Sequence, residues 1–181
     1  MSLNKIAAAL GRVQDVVERR PEAGLHDDAT ALAHWDGGTR VVCSHANGTQ
    51  VVTDVPCELG GSGDQVSPGW MLRAGVASCA LTCIVLDAAR AGVALRTLDV
   101  TVGSRSAVRG VLHLAEADGT PVHAGPRDVA VRVHVAADGI DDASLRTLVE
   151  TACRGSPMSM ALSRAVRLAL DIAVTAPAEA A

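Results

Sequence analysis

The chain of 181 residues carries 16 Lys and Arg against 20 Asp and Glu, a formal net charge of −4, with 49% hydrophobic and 20% charged residues. That balance excludes disorder for most of the chain and supplies enough apolar side chain for one sizeable core. A net negative charge with no Lys/Arg run, and only Trp35 and Trp70 as aromatic residues, exclude a general nucleic-acid binder, which needs a concentrated positive field and stacking platforms.

The first predicted element is an amphipathic helix from Leu3 to Arg19. Leu3, Ile6, Ala7, Leu10, Val13 and Val17 recur at helical spacing, Ser2 is placed to cap it, and Arg19-Arg20-Pro21 closes it. Its polar face carries both signs of charge, which marks a packing or dimer helix and not a membrane one. Residues 1–24 are thus expected to form an appendage, residues 25–175 one domain, and residues 176–181 a flexible tail. The charged start lacks the apolar region of a secretory signal. The odd count of five cysteines, with no CxxC pair, argues against both a disulfide framework and a structural zinc site. A reducing compartment, the cytoplasm, is the expected location.

From Ala29 to Val55 short β-rich runs alternate with turns at Asp36-Gly37-Gly38 and Ala46-Asn47-Gly48, the pattern of antiparallel hairpins. Pro56 to Gly63 reads as a loop, and its Gly60-Gly61-Ser62-Gly63 is too short and too poorly spaced for a phosphate-binding fingerprint. Ser67 and Pro68 are an N-cap and a first helical residue, and the residues after them are apolar nearly all round until Gly92, as in a central helix. Its longest apolar stretch, Ala74 to Leu86, falls short of the roughly 18 residues of a membrane span.

Strands are then expected over Leu95 to Gly103, Ala107 to Glu116 and Asp128 to Ala136, with turns at Asp118-Gly119 and Asp138-Gly139. Val129, Val131, Val133 and Val135 share one face of the last. A second helical region begins near Asp141, carries Leu145, Leu148, Val149 and Ala152, breaks at Gly155-Ser156-Pro157 and resumes through Met160, Leu162 and Val166. Arg167 to Val174 reads as a closing strand. The order of elements makes the fold class α+β.

Two thiols stand out on the central helix. Cys79 and Cys83, four residues apart, project from nearly the same face. Distance alone permits a bond between them, but parallel Cβ directions would strain it, so pairing requires local distortion. Buried cysteines also serve as small hydrophobes, and that alternative stands beside thiol chemistry. Cys79 lies about three turns from the helix start, beyond the reach of the helix dipole. A reactive thiolate there needs a cation from elsewhere: Arg73 is turned away by about 240°, whereas Arg40 in the hairpins is better placed. His113, His123 and His134 lack ligand spacing, so no metal is expected. Trp70 either lines a pocket over Cys79 or packs in the core.

The run Ser67-Pro68-Gly69-Trp70-Met71-Leu72-Arg73-Ala74-Gly75-Val76-Ala77-Ser78-Cys79, then Gly92-Val93, a strand and Gly110, then Gly155-Ser156-Pro157-Met158-Ser159, resembles the OsmC/Ohr family over about residues 29–174. The resemblance implies an intertwined homodimer in which antiparallel sheets wrap long central helices, with thiol sites at the subunit interface and no cofactor. It implies reduction of organic hydroperoxides: one cysteine attacks the peroxide and becomes a sulfenic acid, a second condenses with it, and an external thiol or dithiol resets the pair. Carried over by position, Cys79 is the attacking residue and Arg40 the thiolate-stabilising one. Ser156 stands where the family has its second cysteine, and Gly69 where the peroxidase branch has a Glu that holds the Arg. Cys83 or Cys153 is then the resolving thiol, unless resolution is external. Trp70, Met71, Val76, Met158 and Met160 supply apolar surface suited to a small apolar hydroperoxide. The alternative is a non-catalytic dimer of the same fold that binds a small apolar molecule.

Overall fold

The computed structural model describes residues 3–164 and 168–173. Helix α1 (Leu3–Arg19) ends where expected and runs into a 3-10 turn at Pro21–Gly24. Its Leu3, Ile6, Ala7, Leu10 and Val17 are half-buried, and the helix packs on α2 (Pro68–Ala91). The expected cap, Ser2, lies outside the described residues.

Strands β1 (Leu32–Trp35), β2 (Val41–Ser44) and β3 (Gln50–Thr53) form the expected antiparallel hairpins, with Trp35 opposite Val41 and Ser44 opposite Gln50. Gly37, Gly38 and Gly48 carry positive φ in the two turns, where a side chain would be strained. The sheet is tied to the next helix: Asp54 N donates to Val66 O at 3.1 Å, directly before the cap of α2.

The ends of α2 follow its sequence signals. Ser67 Oγ accepts from Trp70 N at 3.2 Å, Pro68 is the first helical residue, and Gly92 closes the helix with φ of 66°. At 24 residues α2 is, contrary to expectation, long and apolar enough by length and composition to cross a membrane. It packs against α1, β4 (Ala94–Arg105), α4 (Asp142–Gly155) and α5 (Pro157–Ser163).

Strands β4 (Ala94–Arg105) and β5 (Arg127–Asp138) pair antiparallel with irregularities between Leu95 and Thr97 and between Gly103 and Arg105. The expected strand over Ala107 to Glu116 between them does not form. Val108–Val111 is a single helical turn, α3, followed by turns with His113 at φ of 55°. Close packing decides this: a Cβ on Gly110 would sit 2.6 Å from Ala124 Cα. Arg109 Nη2 also donates to Ala115 O at 2.6 Å, folding the segment on itself.

Asp141 caps α4 (Asp142–Gly155), accepting from Ser144 N at 2.9 Å. After the break at Ser156, α5 runs over Pro157–Ser163; Val166 lies outside the described residues. Residues 168–173 form no strand, and Leu168, Leu170 and Ile172 are 90%, 80% and 70% exposed. The alternation that reads as a strand pairs with no strand among the described residues, which leave out Arg167 and Val174. The core lies where α2 meets α4 and the β4–β5 sheet: Ile84, Leu145, Val149 and Ala152, with Leu98, Val100, Val133 and Val135 packed on them.

Candidate functional site

Gly75, Cys79, Cys83 and Asp87 follow one another at four-residue intervals along a ridge of α2. The α4–α5 junction lies against that ridge. Met158 Cε is 3.6 Å from where a Cβ on Gly75 would stand, one turn before Cys79. Further along, Cys83 lines a groove of about 270 Å³ with Leu86, Asp87, Thr151, Ala152 and Gly155.

Cys79 and Cys83 are both half-buried and both free. Burial pushes the Cys83 thiol up, and the adjoining Cys79 thiol and the Asp87 carboxylate push the same way; the Ser156 hydroxyl acts in the opposite direction. Ser156 is completely buried and its Oγ has no hydrogen-bond partner among the described residues. Cys153 is also pushed up by burial. It lines a different groove, of about 560 Å³, with Val131, Val133 and Val135 of β5.

Arg40 is engaged away from these sulfurs. Its Nη2 donates to Ser62 Oγ at 2.9 Å and to Asp64 Oδ1 at 2.5 Å, and lies 3.7 Å from Asp54 Oδ2. Asp54, 3% exposed, accepts from Thr39 Oγ1 at 2.5 Å, Val55 N at 2.8 Å, and Ser62 N and Oγ at 3.0 and 2.5 Å. The Ser62 and Thr39 hydroxyls hold the Asp54 carboxyl far below the usual carboxylate range. The Ser62 hydroxyl, which also contacts Asp64, lowers that carboxyl, and Arg40 adds to the effect.

The chain therefore brings together Cys79, Cys83, Ser156 and, at one end, Met158. It holds Arg40 in a carboxylate cluster on the hairpin and Cys153 in the β5 groove. Trp70, 48% exposed, is not a core residue of the single chain. Beside Gly69 lies Arg73, whose Nη1 is 3.6 Å from where a Cβ would be and 3.4 Å from Ser104 Oγ. The partners of Arg40, namely Asp54, Ser62 and Asp64, are the residues sequence reasoning missed. The available signal was a lone Asp ending the apolar run of β3 just before a Gly-rich loop.

Comparison with known proteins agrees with this architecture. The family model described as OsmC-like protein matches residues 61–171. An OsmC-like protein from Mycoplasma pneumoniae superposes with a TM-score of 0.64 at 14% identity, covering 78% of this chain and 91% of its own. The organic hydroperoxide resistance protein OsmC of Legionella pneumophila gives 0.53 at 23% identity, covering 76% and 90%. An organic hydroperoxide resistance protein from Elizabethkingia anophelis gives 0.54 at 21%, covering 76% and 89%. None of the curated proteins matches the chain. With the family model spanning more than half of the sequence and the fold shared with these structures, the chain belongs to the OsmC family.

Proposed function

We propose that the protein is a thiol-dependent reductase of small apolar organic hydroperoxides, working in the cytoplasm as a homodimer. The Cys79 thiolate attacks the peroxide oxygen; the O–O bond breaks, the alcohol leaves after taking a proton, and Cys79 becomes a sulfenic acid. Cys83 then attacks that sulfur, forming the S–S bond while hydroxide leaves and is protonated to water. An external thiol or dithiol reduces the disulfide. The observation that carries the proposal is the pairing of Cys79 with Cys83 on one ridge of α2, with the α4–α5 junction and its buried Ser156 packed along that ridge. Cys153, in its separate groove, is the poorer resolving candidate.

The homodimer is supported by exposed apolar side chains: Leu32, Trp35 and Trp70 are 67%, 70% and 48% exposed. A second copy would cover such surface, and Arg40 would serve the Cys79 of that copy. Sedimentation is expected to give twice the chain mass; a stable monomer contradicts the dimer.

The enzymatic test is consumption of cumene hydroperoxide with a dithiol reductant, which Cys79→Ser is expected to abolish. Unchanged consumption in that variant overturns the proposal. A second reading, a binding dimer without chemistry, is favoured by a cavity of about 380 Å³ lined by Val76, Pro126, Val129, Val131 and Leu162. Slow alkylation of Cys79 at neutral pH, together with no peroxide consumption, would favour it.

A further inference from the structure

Ser156 occupies the N-cap position of α5, where a serine ordinarily accepts a hydrogen bond from a free amide of the first turn. Here it makes no such bond. Its hydroxyl is turned into the interior, with no exposed surface and no hydrogen-bond partner among the described residues. A buried hydroxyl without a partner is a standing cost to folding. Its neighbour Gly155 lines the same groove as Cys83, and Met158, two residues on, lies against Gly75, so Ser156 sits along the stretch of α2 that carries Cys79 and Cys83. The other charged groups at that end of α2 are Asp87 and Arg90, paired with one another at 2.7 Å.

We infer that Ser156 is a catalytic residue of the resolution step, donating its hydroxyl hydrogen to the Cys83 sulfur as that thiol ionises to attack the Cys79 sulfenic acid. This rests on the reading that Cys79 is oxidised and Cys83 resolves it. The family's second cysteine and Ser156 share a chain position, so the role of that position changes from nucleophile to hydrogen-bond donor. Nucleophilicity falls less steeply with basicity than the thiolate population rises. Each unit by which the donor lowers the thiol's pKa therefore gains about threefold in rate while the thiol is mostly protonated.

The test compares the intact protein with Ser156→Ala after one equivalent of cumene hydroperoxide, following dimedone-trapped Cys79 sulfenic acid and the Cys79–Cys83 disulfide by mass spectrometry. Ser156→Ala is expected to form the sulfenic acid at the wild-type rate and to convert it to disulfide more slowly, by about threefold for each unit that the Cys83 pKa rises. Its melting temperature is expected not to fall, since the variant removes a hydroxyl that has no partner. Conversion at the wild-type rate would overturn the inference while leaving the peroxidase reading intact. Resolution of wild-type Cys79 by any thiol other than Cys83 would do the same. Failure of the wild type to oxidise at Cys79 would overturn both.

Discussion

Cys83 lies one turn of α2 beyond Cys79, on the same face of the helix, and both thiols are half-buried and free. Their Cβ directions are nearly parallel, so a disulfide between them requires the helix turn to open locally. Cys83→Ser is therefore expected to leave peroxide-treated protein at the Cys79 sulfenic acid, with turnover lower by on the order of tenfold or more because an external thiol must replace an intramolecular one. Cys153→Ser is expected to turn over as the wild type does. Dimedone labelling read by peptide mass spectrometry checks both, and the reverse ranking would move the resolving role to Cys153.

Arg40 is held by Asp64 and lies beside Asp54. If it serves the thiolate of a second copy, Arg40→Ala slows iodoacetamide labelling of Cys79 near neutral pH by a factor on the order of ten. Labelling should be followed at two salt concentrations, because a cation acting across a partly exposed interface is screened by salt. Equal rates in both proteins would remove Arg40 from the site.

Asp54 gives a stability prediction with a definite pH window. Its carboxyl titrates below the ordinary aspartate value because hydroxyl and amide donors hold the ionised form. A depressed folded-state pKa contributes stability that is fully present above about pH 4 and lost as the pH falls further. Asp54→Asn should melt several degrees below the wild type at pH 7, and the gap should narrow below about pH 4. Thermal melts at several pH values check this. A gap independent of pH would mean that the ionised carboxylate is not what holds the loop.

The loop that Asp54 pins admits only glycine at one point. A Cβ on Gly61 would stand 1.9 Å from Val55 O and 2.7 Å from Asp54 Oδ1. Gly61→Ala is expected to destabilise by about 1–3 kcal/mol, the range for forced backbone shifts. At Gly11, an exposed position of α1, a Cβ meets nothing within 4 Å, and Gly11→Ala is expected to stabilise by up to about 1 kcal/mol. Urea unfolding of the two variants separates them by sign.

Much of the scaffold is written in local signals. Ser67-Pro68 and Gly92 bound α2, Gly37-Gly38 and Asn47-Gly48 set the hairpin turns, and Gly155-Ser156-Pro157 divides α4 from α5, each through a cap or turn that needs only its neighbours in sequence. Between residues 107 and 116 the apolar residues suit a strand, but the backbone is decided by Gly110 against Ala124, a contact no local pattern announces. The candidate site divides the same way. The juxtaposition of Cys79 and Cys83 follows from helical spacing. The approach of Ser156 depends on how α4 packs on α2, and the capture of Arg40 depends on a loop more than twenty residues away.

Intact-protein mass spectrometry after one equivalent of cumene hydroperoxide tests the central claim most directly. The expected result is loss of two hydrogens through a Cys79–Cys83 disulfide, preceded by a dimedone-trappable oxygen on Cys79. An unmodified mass with all the cysteines still free would contradict it.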